Sequence, residues 1–389
     1  MAIAGTYINL DSAEGMDKIT TTEKVTSPYH SDGTTALLGA NIVSSSLSDT
    51  NETYYFGISN SSTPTTVEWN VAFGSTNGYG ANVETNTKSE TEAIYKQYAS
   101  LLLAPTEVTG GFIISSPGSN SAVASGKDTE IFVLSAVRSN MKDRLNKGTW
   151  TVALSGSDSA GGAQRLLQLT DDSVNESPTA TPVGDRYNIV SGSDGTIAAG
   201  SGSTARNFGF FYPDMGIMVF SAAELSASIP GSGSGTGATS MTEQQVIFDN
   251  ILHQGFGFST DTDSNEKTAL RFVNCLQPTG AKLSFRDEED QVSAQYFCRI
   301  RSGHGNFSNN PTFVSGSLNE LRQKTMRGNP TTFITSVQLY NNSGEMVAVG
   351  NLSTPLKKNF SSEATIKVKL TYEDGLTCMY LERLINQKL

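Results

Sequence analysis

Histidine, cysteine and charge are all scarce in this chain: three His, three Cys and 17% charged residues among 389. Only His30, His253 and His304 are available for acid–base or metal chemistry. No serine or cysteine stands in a strand-to-helix elbow to be activated by one of them, so the sequence carries no hydrolytic triad. Asp249 and His253 lie four apart on a predicted helix and can pair, but they have no nucleophile to serve. Cys275, Cys298 and Cys378 are too widely spaced for a CxxC metal knuckle, and an odd number cannot close into a complete disulfide framework. They are expected to be reduced and buried. Basic residues are also in deficit. Lys and Arg total 27 against 38 Asp and Glu, giving a net charge of -11 and a pI near 4.8. Neutralising a phosphate backbone requires clustered cations, so nucleic acid is excluded as the expected partner. Long apolar runs are missing as well. No stretch approaches the ~18 apolar residues of a membrane span, and MAIAGTYINLDSAEGMDK lacks a basic region followed by an apolar one. The expectation is a soluble chain without a signal and without membrane insertion. The seven Asn-x-Ser/Thr triplets then reflect polar β composition and not glycosylation.

What is abundant is turn and strand chemistry. The 37 glycines, with many Ser, Thr and Asn, favour a mainly β fold, a β-rich α+β arrangement. Antiparallel sheets in sandwich-like layers, a few short helices and an extended terminal arm are expected. The length exceeds what one core serves, which suggests several regions. An N-terminal arm and first β region is expected over 1–110, a central β-rich domain over 111–230, a flexible Gly/Ser linker over 231–240 and a C-terminal β-rich assembly domain over 241–389.

The strongest β signal lies between Asn309 and Tyr372. Two apolar runs, Phe333–Leu339 and Met346–Leu352, flank Asn341-Asn342-Ser343-Gly344, which is turn chemistry, so a hairpin is predicted. Thr365–Tyr372 then alternates, with Ile366, Val368, Leu370 and Tyr372 on one side and Thr365, Lys367, Lys369 and Thr371 on the other. Further strands are predicted at Tyr54–Ile58, Val67–Phe73, Gly111–Ser115, Thr129–Val137, Thr149–Leu154, Thr268–Val273 and Ser293–Arg301. Phe208–Phe220 reads as two buried strands around a Pro213-Asp214 turn, with aromatic pairs expected across it. Helices are predicted at Thr91–Leu103 and Ala222–Ala227, from the capping boxes near Ser240 and at Ser317/Glu320, and as an amphipathic C-terminal segment at Met379–Leu389. Ser139 is placed to cap a helical turn ending at Gly148.

Other motifs fail on inspection. Asp261-Thr262-Asp263-Ser264-Asn265 begins like a calcium loop, but Glu266 stands where glycine is needed and Phe272 where a bidentate Glu belongs. The glycines at 231, 233, 235 and 237 have no following Lys-Ser/Thr, so they read as a linker and not a phosphate cradle. Asp287-Glu288-Glu289-Asp290 reads as a hydrated hairpin tip. No catalytic residue, metal site or cofactor is assigned.

The segment GNPTTFITSVQLYNNSGEMVAVGNLSTPLKKNFSSEATIKVKLTY resembles virion structural proteins of contractile-tailed bacteriophages, cyanophage-like myoviruses in particular. AVRSNMKDRLNKGTWTVALSG, LTDDS, FGFFYPDMGIMVF and NNPTFVSGS fit the same likeness. It implies a tail, baseplate or neck subunit located in the virion after assembly in the host cytoplasm. Such a subunit is not an enzyme, forms a homo-oligomer and docks to other phage virion proteins. Its candidate assembly surface is Phe333, Val337, Leu339, Tyr340, Lys357, Lys358, Lys367 and Lys369. The alternative is a receptor-binding or tail-fibre protein recognising host-surface glycans, with Tyr54, Tyr55, Phe210, Phe211 and Tyr212 as stacking platforms.

Overall fold

The computed structural model describes residues 17–46, 54–80, 89–107, 111–114, 127–157, 164–198, 206–231, 255–256, 265–308, 310–315, 320–341 and 343–372. In chain order the strands are β1 (Lys18–Pro28), β2 (Ala36–Leu38), β3 (Ile42–Ser46), β4 (Tyr55–Asn60), β5 (Val67–Ser75), β6 (Glu130–Ala136), β7 (Arg144–Leu145), β8 (Thr151–Ser157), β9 (Gln164–Asp171), β10 (Thr179–Thr181) and β11 (Gly184–Ser193). They continue as β12 (Thr196–Ile197), β13 (Asn207–Tyr212), β14 (Ile217–Ser221), β15 (Lys282–Ser284), β16 (Arg286–Ile300), β17 (Val314–Ser315), β18 (Glu320–Leu321), β19 (Thr332–Tyr340), β20 (Met346–Lys358) and β21 (Ala364–Tyr372). Three helices accompany them among the described residues: α1 (Ser89–Leu102), α2 (Ala222–Ser228) and α3 (Asn265–Leu276). The fold is therefore mainly β with short helices, and its strand pairs are antiparallel.

The chain forms two compact units, one of residues 26–289 and one of residues 1–25 with 290–389. Strands on both sides of residue 110 pair in one sheet of the larger unit, as β5 does with β6. The expected cut at 110/111 thus falls inside a sheet, because long-range strand pairing and not chain order decides which segments share a core. The expected linker lies outside the described residues beyond Gly231, as do the capping boxes near Ser240, the Asp249/His253 pair, the C-terminal segment, most of the calcium-like loop and the N-terminal arm through residue 16.

The larger unit is built on a thirteen-stranded sheet whose main path runs β2-β15-β8-β9-β11-β13-β14-β6-β5-β4-β3. β2 and β3 stand at its two ends, yet only Gly39–Asn41 separates them in the chain. The sheet has curled until its ends nearly meet, which removes most of its open edge. Gly39 sits at this seam. Its amide donates to the carbonyl of Ala281 at 2.8 Å, and a Cβ there would come within 2.8 Å of the Leu276 carbonyl.

Strands β5, β6, β13 and β14 are buried on both faces. Phe211, Met218 and Phe220 face the main core with Phe73, Phe132 and Trp150, while Phe210, Tyr212, Ile217 and Val219 face a second core closed by Tyr95, Tyr98 and Leu102 of α1. A strand buried on both sides needs apolar residues at every position, which is why FGFFY and GIMVF read as unbroken runs. The expected aromatic pairs across β13–β14 do not form, because the register sets Phe210 opposite Val219 and Phe211 opposite Met218. The rings meet other elements instead: Phe211 packs on Trp150 at 5.2 Å and Phe220 on Phe272 at 5.4 Å.

Three local expectations are corrected. Thr268–Val273 lies in helix α3, where Ala269, Phe272, Val273 and Leu276 are spaced for one helical face and all join the main core. Glu320 lies in β18 and opens no helix. Residues 111–114 form no strand; Phe112 and Ile114 instead fill the second core from extended chain. Around Ser139 the turn is a single 3-10 turn, Arg138–Asn140, while Gly148 does take the left-handed φ of 69° that its sequence context suggests. Helix α2 forms as expected, with the Ser221 hydroxyl accepting from the Glu224 amide at 3.3 Å.

Candidate assembly surface

In the smaller unit, β21 pairs with β16 along nine residues, from Val292 opposite Tyr372 to Ile300 opposite Ala364. Period-2 alternation puts Ala294 with Leu370, Tyr296 with Val368 and Cys298 with Ile366 on one face, and Gln295 with Lys369 and Phe297 with Lys367 on the other. The predicted hairpin is β19–β20, whose Leu339 and Ala348 lie opposite each other. Ala294, Tyr296 and Leu339 are the buried centre of a small cluster completed by Cys298, Ala348, Val368 and Leu370. Asp17 ties β1 to this sheet: its carbonyl accepts the Phe297 amide at 2.8 Å, and its carboxylate lies 3.4 Å from the Arg299 guanidinium.

The eight expected surface residues divide. Phe333, Lys357, Lys367 and Lys369 are exposed, whereas Val337 and Tyr340 are half-buried. Leu339 and Lys358 are buried, and both leave the expected surface. Leu339 faces inward because its register partner is Ala348, on the face that meets Tyr296. Lys358 is fully buried. Its ammonium donates to Asn306 Oδ1 at 2.8 Å, to the Asn359 carbonyl at 3.0 Å and to the Ser302 carbonyl at 3.1 Å. Three well-placed acceptors offset the cost of taking this charge out of water, so Lys358 clips the 302–306 turn to the end of β20. Sequence adjacency to Lys357 hid this, since in a strand neighbouring residues point opposite ways.

The surface also includes residues missed in the sequence. Met346 is 55% exposed, Val349 57% and Leu356 39%, beside Phe333 at 58%. The signal for Met346 and Val349 is the apolar stretch Met346–Val349, which does not alternate as a strand with one wet face would. The charge balance adds to this. Residues 290–372 carry nine Lys and Arg but only Asp290, Glu320, Glu345 and Glu363, a net of +5, which falls to +2 for the whole smaller unit once residues 1–25 (-2) and 373–389 (-1) are added.

The acidic run at 287–290 is not a hydrated tip. Asp287, Glu288 and Glu289 are 2%, 4% and 6% exposed within β16. Arg144 Nε and Asn146 Nδ2 donate to the Glu288 carboxylate at 2.9 and 2.5 Å, and Lys142 donates to Glu289. Burial pushes the Asp287 carboxyl up to about 7, against the opposing pull of Lys142 and Arg138. Nearby, Glu68 accepts from the Ser31 amide at 3.0 Å and from Asn140 Nδ2 at 3.1 Å. The Glu68, Glu288 and Glu289 carboxylates are thus engaged by internal donors, whereas Asp287 Oδ1 is buried without a hydrogen-bond partner. His30 is 3% exposed, and burial lowers its imidazole pKa against the opposing pull of Glu68.

Of the glycan-stacking candidates, Phe210, Phe211 and Tyr212 are 5%, 0% and 1% exposed and belong to the cores. Tyr54 and Tyr55 are half-buried against the second core. An open polar cleft of about 310 Å³ is lined by Thr35, Gly148, Thr149, Asp194, Ser284 and Arg286. Among the described residues there is no cluster of three His, Cys, Asp or Glu arranged to hold a metal, and no helix is long and apolar enough to cross a membrane. Comparison with known proteins gives no match to any family model, curated protein or solved structure.

Proposed function

We propose that this chain is a structural subunit of a tailed-phage virion, in the tail, baseplate or neck, working by self-assembly and docking to other virion proteins. The observation that carries the proposal is the imbalance of the smaller unit. Among the described residues, its hydrophobic cluster has only Ala294, Tyr296 and Leu339 as buried members, while Phe333, Met346, Val349, Leu356 and Phe360 are exposed. A two-stranded hairpin of this length is marginal in water unless something covers it, and apolar residues displayed beside cations make a typical docking face. In this reading the subunit works through its surfaces and carries out no catalysis. The segments of phage-like sequence point to the particle as the setting. Labelling the chain with gold-conjugated antibody in purified particles tests the proposal: discrete tail or neck labelling supports it, and particles without the chain refute it.

A second reading, recognition of host-surface glycans by a receptor-binding or fibre protein, draws on the Thr35–Arg286 cleft, whose hydroxyls, carboxylate and guanidinium suit a polar ligand. A glycan array separates the two readings, since specific retention there favours the second.

A further inference from the structure

Resting on the glycan reading of the Thr35–Arg286 cleft, we infer that this cleft binds an acidic sugar residue, a carboxylated pyranose whose carboxylate meets Arg286 and whose hydroxyls meet Asp194. The cleft lies on the outer face of the curled sheet. Leu283 and Phe285 point into the main core, so alternation turns Ser284 outward, next to its register partner Thr151 of β8. The tip between β11 and β12 folds over Thr151, whose hydroxyl lies 3.0 Å from both Ser193 Oγ and Asp194 Oδ1. Thr35, Gly148, Thr149 and Arg286 complete the lining. The walls are fixed without a ligand. Asp194 holds a φ of 49°, a left-handed conformation that is strained for a residue with a side chain. Its amide donates to Thr151 Oγ1 at 3.0 Å, and the next amide, that of Gly195, donates to Thr170 Oγ1 at 2.9 Å. Gly195 packs so closely on Gly148 that a Cβ would strike its carbonyl, which joins the tip to the 148–149 wall. A strained exposed tip braced from two sides makes a preformed site.

The ligand class follows from the charges. Arg286 is exposed, and its guanidinium makes no ion pair or hydrogen bond with any described residue, Asp194 included. Opposite charges left apart in one cleft call for a ligand that brings an anion to the first and donors to the second. An acidic sugar carries both on one ring. Its remaining hydroxyls match the half-buried Thr35, Thr149 and Ser284, which can each donate or accept. The lining among the described residues includes no aromatic ring, so recognition is by polar contacts and the Arg286 fork rather than by stacking. A volume of about 310 Å³ stands at the small end of ligand pockets and suits one sugar residue, not a long chain.

The test is isothermal titration of the full-length chain with short oligosaccharides of glucuronate, galacturonate and N-acetylneuraminate, beside oligomers of glucose and galactose and the amino acid glycine. At least one acidic saccharide is expected to bind, and its neutral counterpart at least about tenfold more weakly. Arg286→Gln should cost the acidic ligand about tenfold or more and leave weak neutral binding unchanged, while Asp194→Asn should weaken both. Both positions are exposed and Asn tolerates a left-handed φ, so circular dichroism and melting should match wild type. Three results overturn the inference: no acidic saccharide binds, Arg286→Gln binds it as tightly as wild type does, or glycine binds as well as the sugars do. If only neutral glycans bind, this inference falls and the glycan reading stands. If acidic saccharides bind through Arg286 but no glycan array or intact cell retains the chain, the inference stands and the receptor reading falls.

Discussion

Replacing Lys358 with Met is expected to unfold the smaller unit selectively, while replacing its neighbour Lys357 with Ala leaves stability almost unchanged. Lys358 is fully buried with three acceptors at 2.8 to 3.1 Å. The side chain of Asn306, itself 4% exposed, would lose the donor to its Oδ1, and a buried acceptor left unpaired costs about 1–3 kcal/mol. The Ser302 and Asn359 carbonyls are half-buried and recover part of their loss from water. Removing a buried charge relieves some desolvation, so the net cost is about 2–3 kcal/mol. For a unit of this size that lowers its melting temperature by roughly 10–20 °C. Lys357 is exposed, so its substitution should shift stability by less than about 0.5 kcal/mol. Differential scanning calorimetry at high salt and low concentration, where self-association is suppressed, reads the transitions separately. Equal melting of the two variants would refute the burial argument, as would a shift confined to the transition of residues 26–289.

Three further outcomes are expected. Gly39→Ala should destabilise the larger unit by about 1–3 kcal/mol in urea titration, since the new methyl would collide with the Pro278 carbonyl and crowd the Leu276 carbonyl at 2.8 Å and the Ala281 carbonyl at 3.0 Å. Cys275 should resist alkylation in the folded chain and react only on unfolding, because burial pushes its thiol up to about 12; rapid native labelling at Cys275 by mass spectrometry would contradict this. Stability should depend on pH through two groups of opposite sign. The folded Asp287 carboxyl titrates at about 7 against 3.8 in the unfolded chain, so its contribution is present below 3.8 and lost as pH rises from there through 7; Asp287→Asn removes that loss. The folded His30 pKa lies below its ordinary 6.5, so its contribution is present above 6.5 and lost as pH falls and the unfolded chain takes up the proton; His30→Asn removes that acid loss. Denaturant midpoints across pH for the two variants check both signs.

Period-2 alternation made β21 legible residue by residue, and turn chemistry at 341–344 located the β19–β20 hairpin. Continuous apolar runs likewise marked β6, β13 and β14, because strands covered on both faces must be apolar throughout. The sequence was silent where distant pairing decides. Nothing local joins β2 to β15 or sets Gly39 at the seam of a curled sheet. The acidic run at 287–289 looked wet because its partners, Lys142, Arg144 and Asn146, come from a segment more than a hundred residues away. Helix α3 was misread as a strand although Ala269, Phe272, Val273 and Leu276 hold helical spacing, since Leu270 interrupts the polar face with another apolar residue. Of the assembly surface, strand alternation showed which lysines of β21 face out, but a bulged register in β19–β20 between Ile334 and Ser336 prevented the same inference for Lys357 and Lys358.

Electron microscopy of purified particles carrying gold-conjugated antibody against this chain tests the central claim, a structural place in the virion, most directly. The account predicts label confined to a discrete tail, baseplate or neck position. Particles that lack the chain would contradict it.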